Sequence, residues 1–121
     1  PWDYWESDGR TPKGRIGPTI AKIEQVLARS PNHPQAIHLY IHLLEASATP
    51  QRAEAAADRL ASPLVPAAGH LVHMPGHLYY RLGRFRDSIR VNVAAAEADE
   101  AYLRTADDKG IYRYGYYPHN V

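Results

Sequence analysis

Shifted along itself by 35 residues, the chain places His38 on His73, His42 on His77 and Leu44 on Tyr79. Self-similarity at such a period belongs to chains built from one repeated supersecondary unit, which cannot bury its apolar face alone and must stack on its copy. The spacing within a copy says what the unit is. Ile37, Tyr40, Ile41 and Leu44 recur every three to four residues, and no segment alternates apolar and polar residues with strand period over a useful length. Connections of roughly two to six residues then make neighbouring helices antiparallel hairpins. The expected fold is all-α, with about five helices in stacked hairpins forming a solenoid. A chain of 121 residues is enough for one such domain.

Along the chain, residues 1–18 read as an irregular arm, ordered by burial of Trp2, Tyr4 and Trp5. Residues 19–104 carry the helices. The first shows Ile20, Ile23, Val26 and Leu27 at helical spacing and is closed by Pro31-Asn32-His33-Pro34. The second runs from Pro34, behind an Asn32 cap, to about Ser47, and the third begins after a Thr49 cap with Ala53, Ala56, Ala57 and Leu60 as its stripe. The fourth covers about Ala67 to Leu82 and stops at Gly83. Pro75 inside it predicts a kink or break, since proline removes a backbone donor and disfavours helical geometry at Met74. The fifth starts near Phe85 and carries Ile89, Val93, Ala96 and Leu103. Residues 105–121 read as a loop, spanning 105–115, and the start of a further element. A chain that opens on Pro1 and ends just after Tyr116-Tyr117-Pro118-His119-Asn120 is expected to be cut from something longer.

Gly76, Tyr79 and Gly83 with Phe85, Ser88, Ile89 and Ala95, and in the first copy Ile37, Tyr40, Leu44, Ala53, Ala57 and Leu60, make the unit resemble the tetratricopeptide repeat, a helix-turn-helix of about 34 residues. The resemblance covers about residues 34 to 102. The strings around His38 to Glu45, Gly69 to His77 and Tyr116 to Asn120 are also similar to a group of uncharacterised bacterial tetratricopeptide proteins, a likeness that implies a fold and no activity. The chain departs from the repeat pattern at Pro75, at the Pro50 turn and at residues 105–115. In this family the first helix of each hairpin lines a concave groove. The resemblance therefore implies that Gln35, His38, His42 and Glu45, then His70, His73, His77 and Tyr80, face that groove.

Residues four apart on a helix are neighbours, so His38 with His42, and His73 with His77, form two imidazole rows. Neutral imidazole is a common metal ligand, and two rows on adjacent helices about 10 Å apart can share one ion. With zinc-nitrogen bonds of about 2.1 Å, His38, His42, His73 and His77 make a four-coordinate set for zinc or copper. Glu45, His70 and His119 are further ligands or outer partners. The leading expectation is a binding module with a metal-holding groove. Two alternatives stand beside it: a metal-free scaffold whose groove takes a protein, a peptide or a flanking segment of a longer chain, and a metalloenzyme using the same histidines with Glu45 as base. Tyr112, Tyr114, Tyr116 and Tyr117 either line a pocket beside His119 or fasten a loop to a helical surface, the more common role for such a cluster.

Several classes fall away. The absence of cysteine removes thiolate sites and disulfides, and leaves the compartment open. Fourteen lysines and arginines against 13 acidic residues, without a basic run among aromatics, argue against nucleic acid. No apolar run approaches the ~20 residues of a membrane helix and no secretory leader pattern opens the chain, so a soluble protein is expected. Leu39 stands where the zincin pattern places its glutamate. No phosphate loop or nucleophile motif is present. Arg81, Arg84, Arg86 and Arg90 read as a solvated face, with an anion or acidic peptide as the lesser reading, and the open apolar ends of the array suit self-association.

Overall fold

The computed structural model describes residues 3–62, 64, 65, 67–106, 110 and 112–120, without the side chain of Tyr112. Trp2 and part of the expected 105–115 loop lie outside the described residues. Among the described residues six α-helices follow one another: α1 (Ile16–Arg29), α2 (Pro34–Leu44), α3 (Glu54–Ala61), α4 (Gly69–Arg81), α5 (Phe85–Thr105) and α6 (Tyr117–Asn120). A 3-10 turn at Pro50–Ala53 leads into α3, and a π-helical turn at Tyr112–Tyr116 leads into α6. Among the described residues the only extended pairing is an isolated bridge between Trp5 and Pro12.

The helical periodicity of the chain becomes one core. Ile20, Ile23 and Leu27 of α1, Ile37, Ile41 and Leu44 of α2, Ala56, Ala57 and Leu60 of α3, Met74, Leu78 and Tyr79 of α4 and Val91 of α5 are buried together. α2 packs on α1 and α4, and α4 packs on α3 and α5. Gly83, at φ +74°, ends α4 in a left-handed turn, with its N–H donating to Tyr80 O at 3.2 Å and that of Arg84 to Tyr79 O at 2.8 Å. The stop expected at Gly83 is therefore realised. The N-terminal arm is held by Trp5, whose Nε1 donates to Leu43 O at 2.8 Å, and Tyr4 and Trp5 pack against the core.

Several local expectations give way to tertiary structure. His33, not Asn32, caps α2: the Ala36 N–H donates to His33 Nδ1 at 3.2 Å. α2 ends at Leu44 rather than near Ser47. Ser47 Oγ instead accepts the Thr49 N–H at 3.1 Å, and Thr49 makes no side-chain cap. α4 runs through Pro75 without a break. An interior proline costs about 3 kcal/mol. Met74, Leu78 and Tyr79 are each 0% exposed in that helix, and complete burial of such side chains stabilises by about 2 kcal/mol apiece, so continuity wins. Residues 112–120 are helical where a loop was expected at 112–115, because this segment is docked from outside itself, as described below.

The arginine strip is a solvated face at Arg81, Arg86 and Arg90, which are exposed, while Arg84 is half-buried and tied down. Arg84 bonds Glu54 and Asp58 at 2.9 and 2.8 Å and Asp87 at 2.9 Å, and lies 4.3 Å from the centre of the Tyr79 ring. Arg90 reaches Asp87, and Arg81 Nε donates to Glu45 O at 2.8 Å, joining the end of α4 to the end of α2.

Candidate metal centre

Three elements bring six imidazoles together: His38 and His42 from α2, His70, His73 and His77 from α4, and His119 from α6. Within α2 the His38 and His42 rings are 4.8 Å apart, and within α4 those of His73 and His77 are 4.6 Å apart, as a four-residue helical step dictates. Packing of α2 on α4 sets His38 5.1 Å from His70 and His42 5.9 Å from His77. His119 approaches His73, His70 and His77 at 4.9, 5.5 and 5.7 Å. Two groups are compact enough to hold an ion: His38, His42 and His70, and His73, His77 and His119, each with ligand atoms all within 4.8 Å of one another.

The outer contacts of the rings are ordered. His38 Nδ1 lies 3.3 Å from Gln35 Oε1, His42 Nδ1 3.3 Å from Glu45 Oε1, and His77 Nδ1 3.1 Å from Glu45 Oε2. His73 Nδ1 lies 2.5 Å from Asn92 Oδ1, and His70 Nδ1 3.4 Å from Asn120 Oδ1. An oxygen acceptor at Nδ1 draws the ring proton there and leaves the lone pair on Nε2, the arrangement by which outer partners orient metal-ligating histidines. Two Nε2 atoms show the consequence. That of His38 is buried with no hydrogen-bond partner among the described residues, and that of His73 lies 2.8 Å from that of His77. Two lone pairs at that separation repel unless a proton or cation lies between them.

Electrostatics favour the neutral rings. Burial, reinforced by His42, His70 and His77, pushes His38 down to about 4, and burial with neighbouring imidazoles takes His73 to about 4 against the opposing Asn92 contact. His70 and His119 are also lowered, chiefly by burial. Burial would raise the Glu45 carboxyl, but hydrogen bonds from His42 and His77 outweigh it and hold the group at about 2. At neutral pH His38, His70, His73 and His119 are therefore uncharged, and Glu45 is a carboxylate.

α6 reaches the cluster through a chain of contacts that no local pattern announces. Asn120 Nδ2 donates to Asp99 Oδ2 at 2.8 Å while Asn120 Oδ1 faces His70, and both Asn120 and Asp99 are 0% exposed. Gly69 opens α4 against Asp99, and a Cβ there would fall 1.8 Å from Asp99 Oδ1. Asn92, Asn120, Asp99 and Gly69 are not among the site residues expected from the sequence. The available signal was on α5: Ser88, Asn92, Ala95 and Asp99 share one helical face, polar or small where an apolar stripe would be ordinary.

The four histidines first grouped from spacing are all in the cluster, divided two and two between the groups, with His70 and His119 completing them. Glu45 stands behind His42 and His77, and Gln35 behind His38. Tyr116 lies 5.3 Å from His70 and, with Gly115 and His119, lines a cavity of about 300 Å³. Tyr80 borders a neighbouring cavity of about 300 Å³ with Glu45, His73, His77 and Asn92, but the residue is 68% exposed and its ring rests on Phe85. Tyr117 is tied to Glu100 on α5, and Tyr114 is exposed. His33 serves α2 as its cap. Compared with protein-family models, curated proteins and solved structures, the chain matches none, so the reading of this site rests on its own residues.

Proposed function

We propose that this chain is a metal-binding helical module, built of stacked antiparallel hairpins as the tetratricopeptide resemblance implies, whose histidine cluster between α2, α4 and α6 holds a divalent transition metal, zinc or copper. The observation that carries the reading is the set of oxygen acceptors on the Nδ1 atoms of His38, His42, His70, His73 and His77. Five rings oriented by outer partners are what ligation needs and what simple packing does not. Imidazole donors suit zinc, copper, iron and nickel, whereas calcium and magnesium call for oxygen cages that this cluster lacks. The placement of α6 against His70 and His73 favours an internal site over an open groove for a peptide.

The test is metal analysis and thermal denaturation of untagged protein. Zinc at about 100 times its Kd stabilises by about 2.7 kcal/mol. His42→Ala with His77→Ala should abolish the rise in melting temperature, and the rise should fade as pH falls toward 4 and the lowered imidazoles of His38 and His73 protonate. No copurified ion and no shift with zinc or copper at pH 7.5 would end the proposal.

A further inference from the structure

Six imidazoles exceed what one four-coordinate ion accepts, and their arrangement divides them. Ligand atoms of His38, His42 and His70 lie within 4.8 Å of one another, and so do those of His73, His77 and His119. Around a tetrahedral ion with bonds of about 2.1 Å, ligand nitrogens stand about 3.4 Å apart, so the wider pairs must close and the Nε2 atoms of His73 and His77, now 2.8 Å apart, must open, changes that small side-chain rotations supply. We infer that the cluster holds two transition-metal ions, one in each three-histidine group, and that a single small anion, hydroxide in water, bridges them; this rests on the metal-binding reading above.

Three features support a pair over a single ion. The groups adjoin: His42 and His77 are 5.9 Å apart, His70 and His119 5.5 Å, and His70 and His73 6.2 Å between ring centres. Glu45 spans them, one oxygen on His42 of the first group and the other on His77 of the second. That carboxylate places a negative charge behind both positions, where two cations side by side need it. Three neutral ligands also leave a tetrahedral ion one open position. The cavity of about 300 Å³ lined by His70 of one group, His119 of the other, Gly115 and Tyr116 gives a small anion access to that position on both ions. Hydroxide arises there by loss of one proton, through the cavity to bulk water, from a water bound to both cations, with no change in oxidation state.

Native mass spectrometry of the untagged chain titrated with zinc or copper(II) counts the ions directly. Two per chain are expected. For the copper form, electron paramagnetic resonance before and after azide reads the bridge, because copper(II) ions joined through one anion couple. The spin count should fall below half of the bound copper. His38→Gln with His70→Gln, and separately His73→Gln with His119→Gln, should each retain one ion. His33→Asn, which keeps a capping side chain outside the cluster, should retain two.

A single ion per wild-type chain would overturn the pair while leaving the metal-binding reading intact, and no bound ion would defeat that reading first. Two ions with a full copper spin count after azide would overturn the bridge. Loss of all uptake in either double variant, with its helical circular dichroism unchanged, would overturn the division into two groups.

Discussion

Gly69→Ala puts the docking of α6 to a test in which two ordinary effects have opposite signs. In an exposed helix the change from glycine to alanine stabilises by up to about 1 kcal/mol. Here the added Cβ meets Asp99 Oδ1 at 1.8 Å, Cγ at 2.5 Å and Oδ2 at 2.9 Å, so the whole carboxyl group must move. Asp99 is 0% exposed and has no open solvent to swing into. Overpacking of that kind costs about 1–3 kcal/mol. Displacing Asp99 also breaks its 2.8 Å bond from Asn120, and a hydrogen bond to a charged group contributes about 1.5–3 kcal/mol. Subtracting the propensity gain leaves a net loss of about 2–5 kcal/mol. At roughly 4 °C per kcal/mol for a domain of this size, the metal-free melting temperature should fall by about 8–20 °C. Thermal circular dichroism with excess chelator measures it. Because Asn120 also holds His70 and adjoins His119, zinc uptake by the folded variant should weaken as well. A melting temperature equal to or above that of the parent chain would refute the reasoning, since the carboxylate would then have moved aside at no cost.

Acid should destabilise the metal-free protein in two stages. His38 and His73 sit at about 4 in the fold, against about 6.5 when unfolded, so their contribution is complete above pH 6.5 and is lost as pH falls toward 4. Glu45, held at about 2 against its ordinary value of 4.5, adds stability that is lost between those values; equal urea midpoints at pH 5 and pH 7 would contradict the first stage. Asn92→Ala removes the acceptor on His73 Nδ1 and should weaken zinc binding about 10- to 100-fold by chelator competition, with unchanged affinity counting against an orienting role. Tyr79→Phe removes the 2.8 Å bond to Asp58 from a fully buried ring and should lower stability by about 1 kcal/mol in urea titrations. An unchanged midpoint would show that Arg84 alone satisfies Asp58.

What the chain determined by itself was local. Apolar residues three and four apart laid out α1 to α5, Gly83 ended α4, and the same period set His38 beside His42 and His73 beside His77. These follow from the helix's own geometry, in which side chains one turn apart meet whatever surrounds them. Tertiary structure decided the rest. Whether His42 meets His77 and His38 meets His70 depends on how α2 rotates against α4, and whether His119 completes the second group depends on where α6 docks. The residues holding His70 and His73 come from 50 and 19 positions away. α6 shows the limit most clearly: Tyr116-Tyr117-Pro118-His119-Asn120 carries turn signals and no helical stripe, and it is placed by the buried contact of Asn120 with Asp99, 21 residues back. Pro75 predicts a kink or break for a related reason, since backbone preference is written in neighbouring residues while the burial that keeps α4 continuous is contributed by other helices.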